Sequence, residues 1–402
     1  MELLSEKQLK NRYYLLVSTL IFFFLAEALT RISPWLFDES IRFTGMSKIC
    51  MALIFLSYLT FIEKTLFKEK TVIISYAFLG FSFVVASYSL ISDVDFIARI
   101  KYNSVYFFRY TYVFFFIILL KGLTNERLSN ILKIIEIIFW VNCFFVFYGF
   151  VFEIPIFRGY GFNRFGYVGL FARTSQASYV FILVVAFYYY QWFYKKKNIY
   201  PLLIALLASF LVGTKAIYFA MINLILFHFI INWQVLRKTQ LFIFPILFLL
   251  IIIASQTFLK TTIQLFYGII KKDSLFTAIF SYRNKEFLDY ISNEVIEKWT
   301  WLNYFFGSGN FLTTVRTELE LADLFFFFGL SGLVIFSFTY YKLFSSIRWN
   351  KFIVFLVLNI SLVSILSGNL IHSPELPLYT YIVLINLALI DKEDIIFHKK
   401  QK

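Results

Sequence analysis

The sequence predicts an all-α polytopic membrane protein with about twelve transmembrane helices and one large periplasmic loop. Three observations predict it. Of 402 residues, 60% are hydrophobic and the mean hydropathy is +0.75, more apolar surface than a soluble domain of this size encloses. Long apolar runs recur from end to end, and each reads as long enough to cross a bilayer core, which needs about 20 helical residues. The runs are continuous and do not alternate in polarity, which selects helices over a barrel.

The first expected span, 13–30, is not followed by a small-residue cleavage site, so it reads as retained and not as a removed signal peptide. Spans 46–62, 71–91, 104–120 and 131–152 follow. Spans 174–194, 199–212 and 216–232 come next, the last two short and divided by Gly213-Thr214-Lys215. A ninth span, 240–258, precedes the longest loop, and spans 322–341, 352–367 and 378–390 close the set. The chain 1–402 is thus a single integral membrane domain, with 259–321 as its large external loop. No soluble domain, low-complexity linker or internal repeat is visible.

Orientation follows from lysine and arginine. Every second connection is basic: Lys7, Lys10 and Arg12; Lys64, Lys68 and Lys70; Lys121, Arg127 and Lys133; Lys195, Lys196 and Lys197; Arg237 and Lys238; Lys342, Arg348 and Lys351; then Lys392, Lys399, Lys400 and Lys402. Short basic connections stay in the cytoplasm, so both termini face inward and the span count is even. The net charge of +14 is then explained by these anchors and by basic residues facing an anionic ligand, with no need for nucleic acid. Cys50 and Cys143 both fall inside apolar runs and read as small buried residues, neither a disulfide nor a metal pair.

The opposite face carries the unusual material. Loop 153–173 holds Arg158, Arg164 and Arg173, the next external turn holds Lys215, and the long loop holds Arg283 and Arg316. Within that loop Phe287, Ile291, Val295 and Trp299 recur at four-residue steps, the pattern of an amphipathic helix along the membrane surface. Asn284 could cap its start, and Gly307-Ser308-Gly309 forms a turn beyond its end. The last external loop, 367–377, contains His372 and Glu375.

Guanidinium groups bind phosphate through paired hydrogen bonds and keep their proton. A basic set on the positive-poor face therefore suits a diphosphate at the membrane surface, although each member alone is also an ordinary solvated charge. His372 has the unperturbed pKa of a general base, with Glu375 near enough in sequence to orient it; a structural histidine fits equally. Glu27 and Arg109 lie deep in spans, where ionisable groups need a partner or a cavity, and could pair with each other. Glu136 is explained by Lys133 one turn away or by snorkelling, and His228 by a structural hydrogen bond. Asp93-Val94-Asp95 superficially matches a nucleotide-sugar metal site, but it stands in an isolated external loop. Gly159, Gly161 and Gly166 lack the spacing and preceding strand of a dinucleotide fingerprint. The scattered histidines offer no zinc cluster.

Several segments together resemble the O-antigen polymerase and ligase group of membrane glycosyltransferases: RFGYVGLFARTSQAS (164–178), FLVGTKAIYFAM (210–221), SYRNKEF (281–287), FFGSGN (305–310), TELELADLFFFFGLSGLVIF (317–336) and SGNLIHSP (367–374). They fall in matching order over 164–390. In the last, three residues separate Gly368 from His372, a departure from the family's Gly-His loop. Glu318, Glu320 and Asp323 stand where ligases resemble one another in a His-Asn pair, so the chain is more similar to the polymerases.

The resemblance implies the membrane glycosyltransferase fold of this group, the C-type, and inverting, metal-independent transfer without a cofactor. It implies undecaprenyl-diphosphate-linked glycans as substrates on the periplasmic face of the inner membrane. Arg173 and Arg283 would stabilise the leaving diphosphate; Arg158, Arg164, Lys215 and Arg316 would hold phosphate or sugar. His372 would be the base, with Glu320 or Asp323 in reserve. Membrane lipids and a chain-length regulator are the further expected partners. A ligase, or a flippase without enzymatic activity, is the alternative; a transporter calls for inverted halves and interrupted helices, and neither is visible in the sequence.

Overall fold

Eleven of the twelve expected apolar segments coincide with helices of the computed structural model, 71–91 as far as Tyr88; the structure describes residues 5–88, 96–160, 164–232, 256–308 and 317–400. The remaining segment, 240–258, lies almost wholly outside the described residues, as do Asp93, Asp95 and Arg316. No strand occurs among the described residues; a lone bridge pairs Arg158 with Tyr167.

Helix α1 (Glu6–Phe37) starts at a capping box in which Ser5 and Gln8 exchange hydrogen bonds. Next come α2 (Phe43–Ser57), which ends in a π turn at Tyr58–Ile62, α3 (Lys70–Tyr88) and α4 (Phe96–Leu120). Helix α5 (Asn125–Val151) is capped by Thr124. Helices α6 (Thr174–Phe193), α7 (Tyr200–Val212) and α8 (Lys215–Asn232) follow. Among the described residues five helices are long and apolar enough to cross a membrane: Glu6–Phe37, Phe43–Ile62, Asn103–Leu120, Asn125–Val151 and Glu320–Phe344. Shorter apolar helices accompany them, and the chain is a membrane-embedded helical protein.

Helix α6 is the pillar. Its residues from Gln176 to Gln191 are buried on every side, enclosed by α5, α7, α8 and the last two helices. A helix apolar all round belongs in a core, and this one brings Arg173 to its entrance.

The basic connections meet at one end of the bundle. Arg12 donates to Glu63 (Nε–Oε1 2.7 Å) and to the carbonyls of Ile118 (2.6 Å) and Lys121 (2.9 Å). Lys121 pairs with Glu69, Lys342 reaches the same carboxylate at 3.7 Å, and Arg127 pairs with Glu6. Connections assigned to one face from their lysines thus touch one another.

The long loop is helical: α9 (Gln256–Lys272), α10 (Leu275–Phe280), α11 (Arg283–Tyr290), a π turn at Ile291–Ile296, and α12 (Trp301–Phe306). The stripe Phe287, Ile291, Val295 and Trp299 faces protein. It packs with Tyr290 on Phe325 and Phe326 as a second small core, because the next helix, α13 (Glu320–Phe344), presents aromatic rings to it. Asn284 is not the cap: Tyr282 occupies that position and Asn284 donates to Thr277 at 3.1 Å.

Helices α14 (Lys351–Ser367) and α15 (Glu375–Lys400) complete the bundle. Helix α13 is interrupted at Gly329 (φ 66°, ψ −163°), a break not visible in the sequence. Gly307 (φ 77°) crosses it there. A Cβ on Gly307 would lie 2.3 Å from the Phe327 carbonyl oxygen, and one on Gly329 2.4 Å from the Phe305 carbonyl carbon, so two glycines let the backbones touch.

Candidate functional site

A cavity of about 560 Å³ opens between α6, α8, α14 and the α10–α11 turn. Four of the ten residues singled out from the sequence line it: Arg164, Lys215, Arg283 and Glu318. Hydroxyls of Tyr160, Thr174, Ser175, Ser178, Thr214, Tyr218, Ser281 and Ser367 surround them, with Asn369 beside Ser367.

Local backbone geometry places each charge. Arg164 belongs to a turn held by Gly159 N–H to the Gly166 carbonyl (2.8 Å), Val168 N–H to Phe157 (2.8 Å) and Tyr167 N–H to Leu211 (2.8 Å). Gly166 has φ 150° and faces the Val212 carbonyl oxygen, which a Cβ would approach to 2.6 Å. The Arg164 guanidinium lies 4.1 Å over the Tyr160 ring, and its buried Nε has no hydrogen-bond partner. Such an atom is costly until a ligand or water satisfies it.

Lys215 opens α8 after the left-handed Gly213 (φ 70°). Its ammonium donates to the Ala278 carbonyl (2.6 Å) and to Ser281 Oγ (3.0 Å) and lies 4.8 Å from the centre of the Phe266 ring. It stands outside both apolar stretches, 199–212 and 216–232. Burial, followed by repulsion from Arg164 and Arg283, pushes its pKa down to about 8. Next to it, Thr214 and Ser178 share a hydrogen bond of 2.7 Å.

Arg283 starts α11 after two left-handed residues, Ser281 and Tyr282. Its Nε and Nη2 both donate to Glu318 Oε2, at 3.1 and 2.5 Å. Three cations and one carboxylate therefore line the cavity, and the carboxylate is occupied by one of the cations, Arg283.

The other candidates hold loops. Glu320 is buried and accepts from the backbone N–H groups of Leu370 (2.6 Å) and His372 (3.0 Å). Asp323 accepts from Thr317 N–H (3.0 Å) and its hydroxyl (2.7 Å). His372 is 1% exposed and does not line the cavity. Its Nε2 lies 2.9 Å from Arg109 Nη1, and its ring sits between Tyr106 and Tyr110 at 4.9 and 5.6 Å. A guanidinium only donates, so Nε2 is the acceptor. Arg158 donates to the Tyr167 hydroxyl (3.2 Å), while its carbonyl accepts from Arg31. Arg173 caps α6 at the level of Glu27, on which its charge acts.

Glu27 and Arg109 do not pair with each other. Glu27 accepts from Ala172 N–H (3.0 Å) and faces Lys48 at 3.4 Å. Lys48 also faces Glu375 at 3.4 Å, so Glu375 turns away from His372 into the bundle. The N-terminal helices, which the family resemblance does not cover, thus carry the charges that clamp the loops at 153–173 and 367–377. Lys48 and Arg31 were missed because each stands near a span end and reads as an anchor. Glu136 accepts from the Tyr188 hydroxyl (2.8 Å) and Lys133 donates to Asn130 (3.2 Å). His228 Nδ1 meets the Tyr189 hydroxyl at 2.7 Å. Cys50 and Cys143 are free thiols, Cys143 buried as expected but Cys50 exposed, on the outward side of α2, and among the described residues no His, Cys, Asp and Glu side chains group as a metal site.

No protein-family model matches the chain, and no match is found among curated proteins or solved structures.

Proposed function

We propose that this protein polymerises oligosaccharide repeat units carried on a polyprenyl diphosphate, on the periplasmic face of the inner membrane, with twelve spans and both termini in the cytoplasm. One observation carries the reading: Arg164, Lys215 and Arg283 converge with Glu318 in one cavity walled by hydroxyls. Cations suit a diphosphate leaving group, and hydroxyls suit a sugar. The proposed class is an inverting, metal-independent glycosyltransferase.

In the proposed reaction a hydroxyl oxygen of the acceptor sugar bonds to the anomeric carbon of the donor. The bond from that carbon to the phosphate oxygen breaks, and the lipid diphosphate leaves with the electron pair. The diphosphate competes with Glu318 for Arg283. The released carboxylate is then the cavity's own acceptor for the hydroxyl proton. We therefore give the base role to Glu318 in preference to His372, whose Nε2 accepts from Arg109, and to Glu320 and Asp323, whose carboxylates hold backbone.

The test is the lipopolysaccharide ladder of a strain carrying Arg283→Ala. Loss of one charge-stabilising donor costs about 100- to 1,000-fold in rate, so only single repeat units should remain on the core at normal protein level. Near-normal chain length would refute the role of Arg283. A deletion strain separates the alternatives: bare core, without the single repeat, indicates a ligase or a flippase.

A further inference from the structure

We propose that α9 and α10 form an interfacial hairpin seated in the headgroup layer of an anionic phospholipid bilayer. At 100° per residue, Lys260, Gln264, Lys271 and Lys272 of α9 fall on one arc of about 120°. Ile263, Phe266 and Ile270 fall opposite. Such a helix, basic on one face and apolar on the other, belongs in the interface plane. Its 17 residues with three lysines are poorly suited to crossing a membrane.

The apolar arc is only partly covered. Phe266, at its middle, turns towards Lys215 and lines the cavity. The edges stay open: Ile263 is 57% exposed and Tyr267 66%, and Leu275, Phe276 and Ile279 of α10 continue the surface. Helix α9 packs chiefly on α10. Tyr267 lies between the two arcs, where an aromatic with a polar tip suits the boundary. The lysines on the polar arc are exposed, while Asp273 at the hairpin turn pairs with Lys285. Cationic side chains beside an apolar edge match phosphate beside acyl chain. The bilayer is therefore the occupant, in preference to a second protein.

The test reads position and not activity, so it stands apart from the proposed reaction. The full-length protein with Cys50→Ser receives Ile263→Cys, Phe276→Cys or Gln264→Cys, is labelled with bimane and is placed in nanodiscs. Brominated phospholipid should quench the labels at 263 and 276, and aqueous iodide the label at 264. Adding phosphatidylglycerol should strengthen the lipid quenching. Combined Lys260→Gln, Lys271→Gln and Lys272→Gln should remove that dependence, each lysine contributing about fivefold to the docked population. Iodide quenching at all three positions overturns the proposal. So does exclusion of both quenchers at 263 and 276, which indicates a protein cover, and so does quenching indifferent to phosphatidylglycerol.

Discussion

Replacing Glu318 by glutamine should move ligand binding and turnover in opposite directions. The carboxylate accepts two hydrogen bonds from Arg283, at 3.1 and 2.5 Å, and a diphosphate must displace it. The pair is part-exposed, 21% at the arginine and 46% at the glutamate, so solvent screening limits its worth to about 1 kcal/mol. Releasing that competition should tighten diphosphate binding by about fivefold. The same substitution removes the proposed proton acceptor, and loss of a general base costs about 100- to 10,000-fold. Calorimetric titration of the nanodisc-embedded protein with inorganic pyrophosphate measures the first effect. Single-turnover elongation with a lipid-linked repeat unit measures the second. Tighter binding with unchanged turnover would remove Glu318 from the chemistry. Unchanged binding, with Arg283→Ala also without effect, would sink the anion site itself.

Three further outcomes follow from other parts of the molecule. Because burial and the nearby Arg164 and Arg283 push the Lys215 pKa down to about 8, pyrophosphate affinity should fall as pH rises through 8, approaching tenfold per unit above it. Lys215→Arg should flatten that profile, and a fall that persists in the variant would assign the titration elsewhere. Lys48→Met leaves Glu27 and Glu375 buried at 1% and 0% exposure without their shared cation, which should cost about 3–5 kcal/mol in a thermal melt. Adding Glu27→Gln and Glu375→Gln should recover much of it, and no recovery would mean that charge is not the cause. Gly329→Ala forces a side chain into a left-handed backbone 2.4 Å from Phe305. Limited proteolysis should then open the chain near 301–308, and an unchanged digest would show that the crossing can move.

Hydropathy located the helices because each run is a property of its own residues, and 174–194, 199–212 and 352–367 agree with α6, α7 and α14 to within a residue. It could not say which helix is central: α6 carries Tyr179, Tyr188, Tyr189, Tyr190, Gln176 and Gln191, polar-tipped groups that do not mark a helix as the innermost one. The candidate charges were legible as types but not as partnerships. Arg164, Lys215, Arg283 and Glu318 meet through turns whose left-handed residues, Gly213, Ser281, Tyr282 and Glu318, leave little trace in residue type except at the glycine. Glu375 seemed tied to His372 by adjacency. Yet α15 begins at Glu375, and the first turn of a helix sends a side chain wherever its face points, here to Lys48. The stripe at 287–299 had the right period but the wrong occupant, since periodicity shows that a face is covered and not by what.

The enclosed position of α6 has a consequence for biogenesis. Of the helices that wall it in, α7, α8, α14 and α15 are all synthesised after it, the last of them at the far end of the chain. Until they arrive, the amides of Gln176 and Gln191 face acyl chains or the insertion machinery, and hydrocarbon offers them nothing to bond. A ribosome that stops before residue 375 would release a bundle with an open seam along its central helix, a natural target for membrane quality-control proteases.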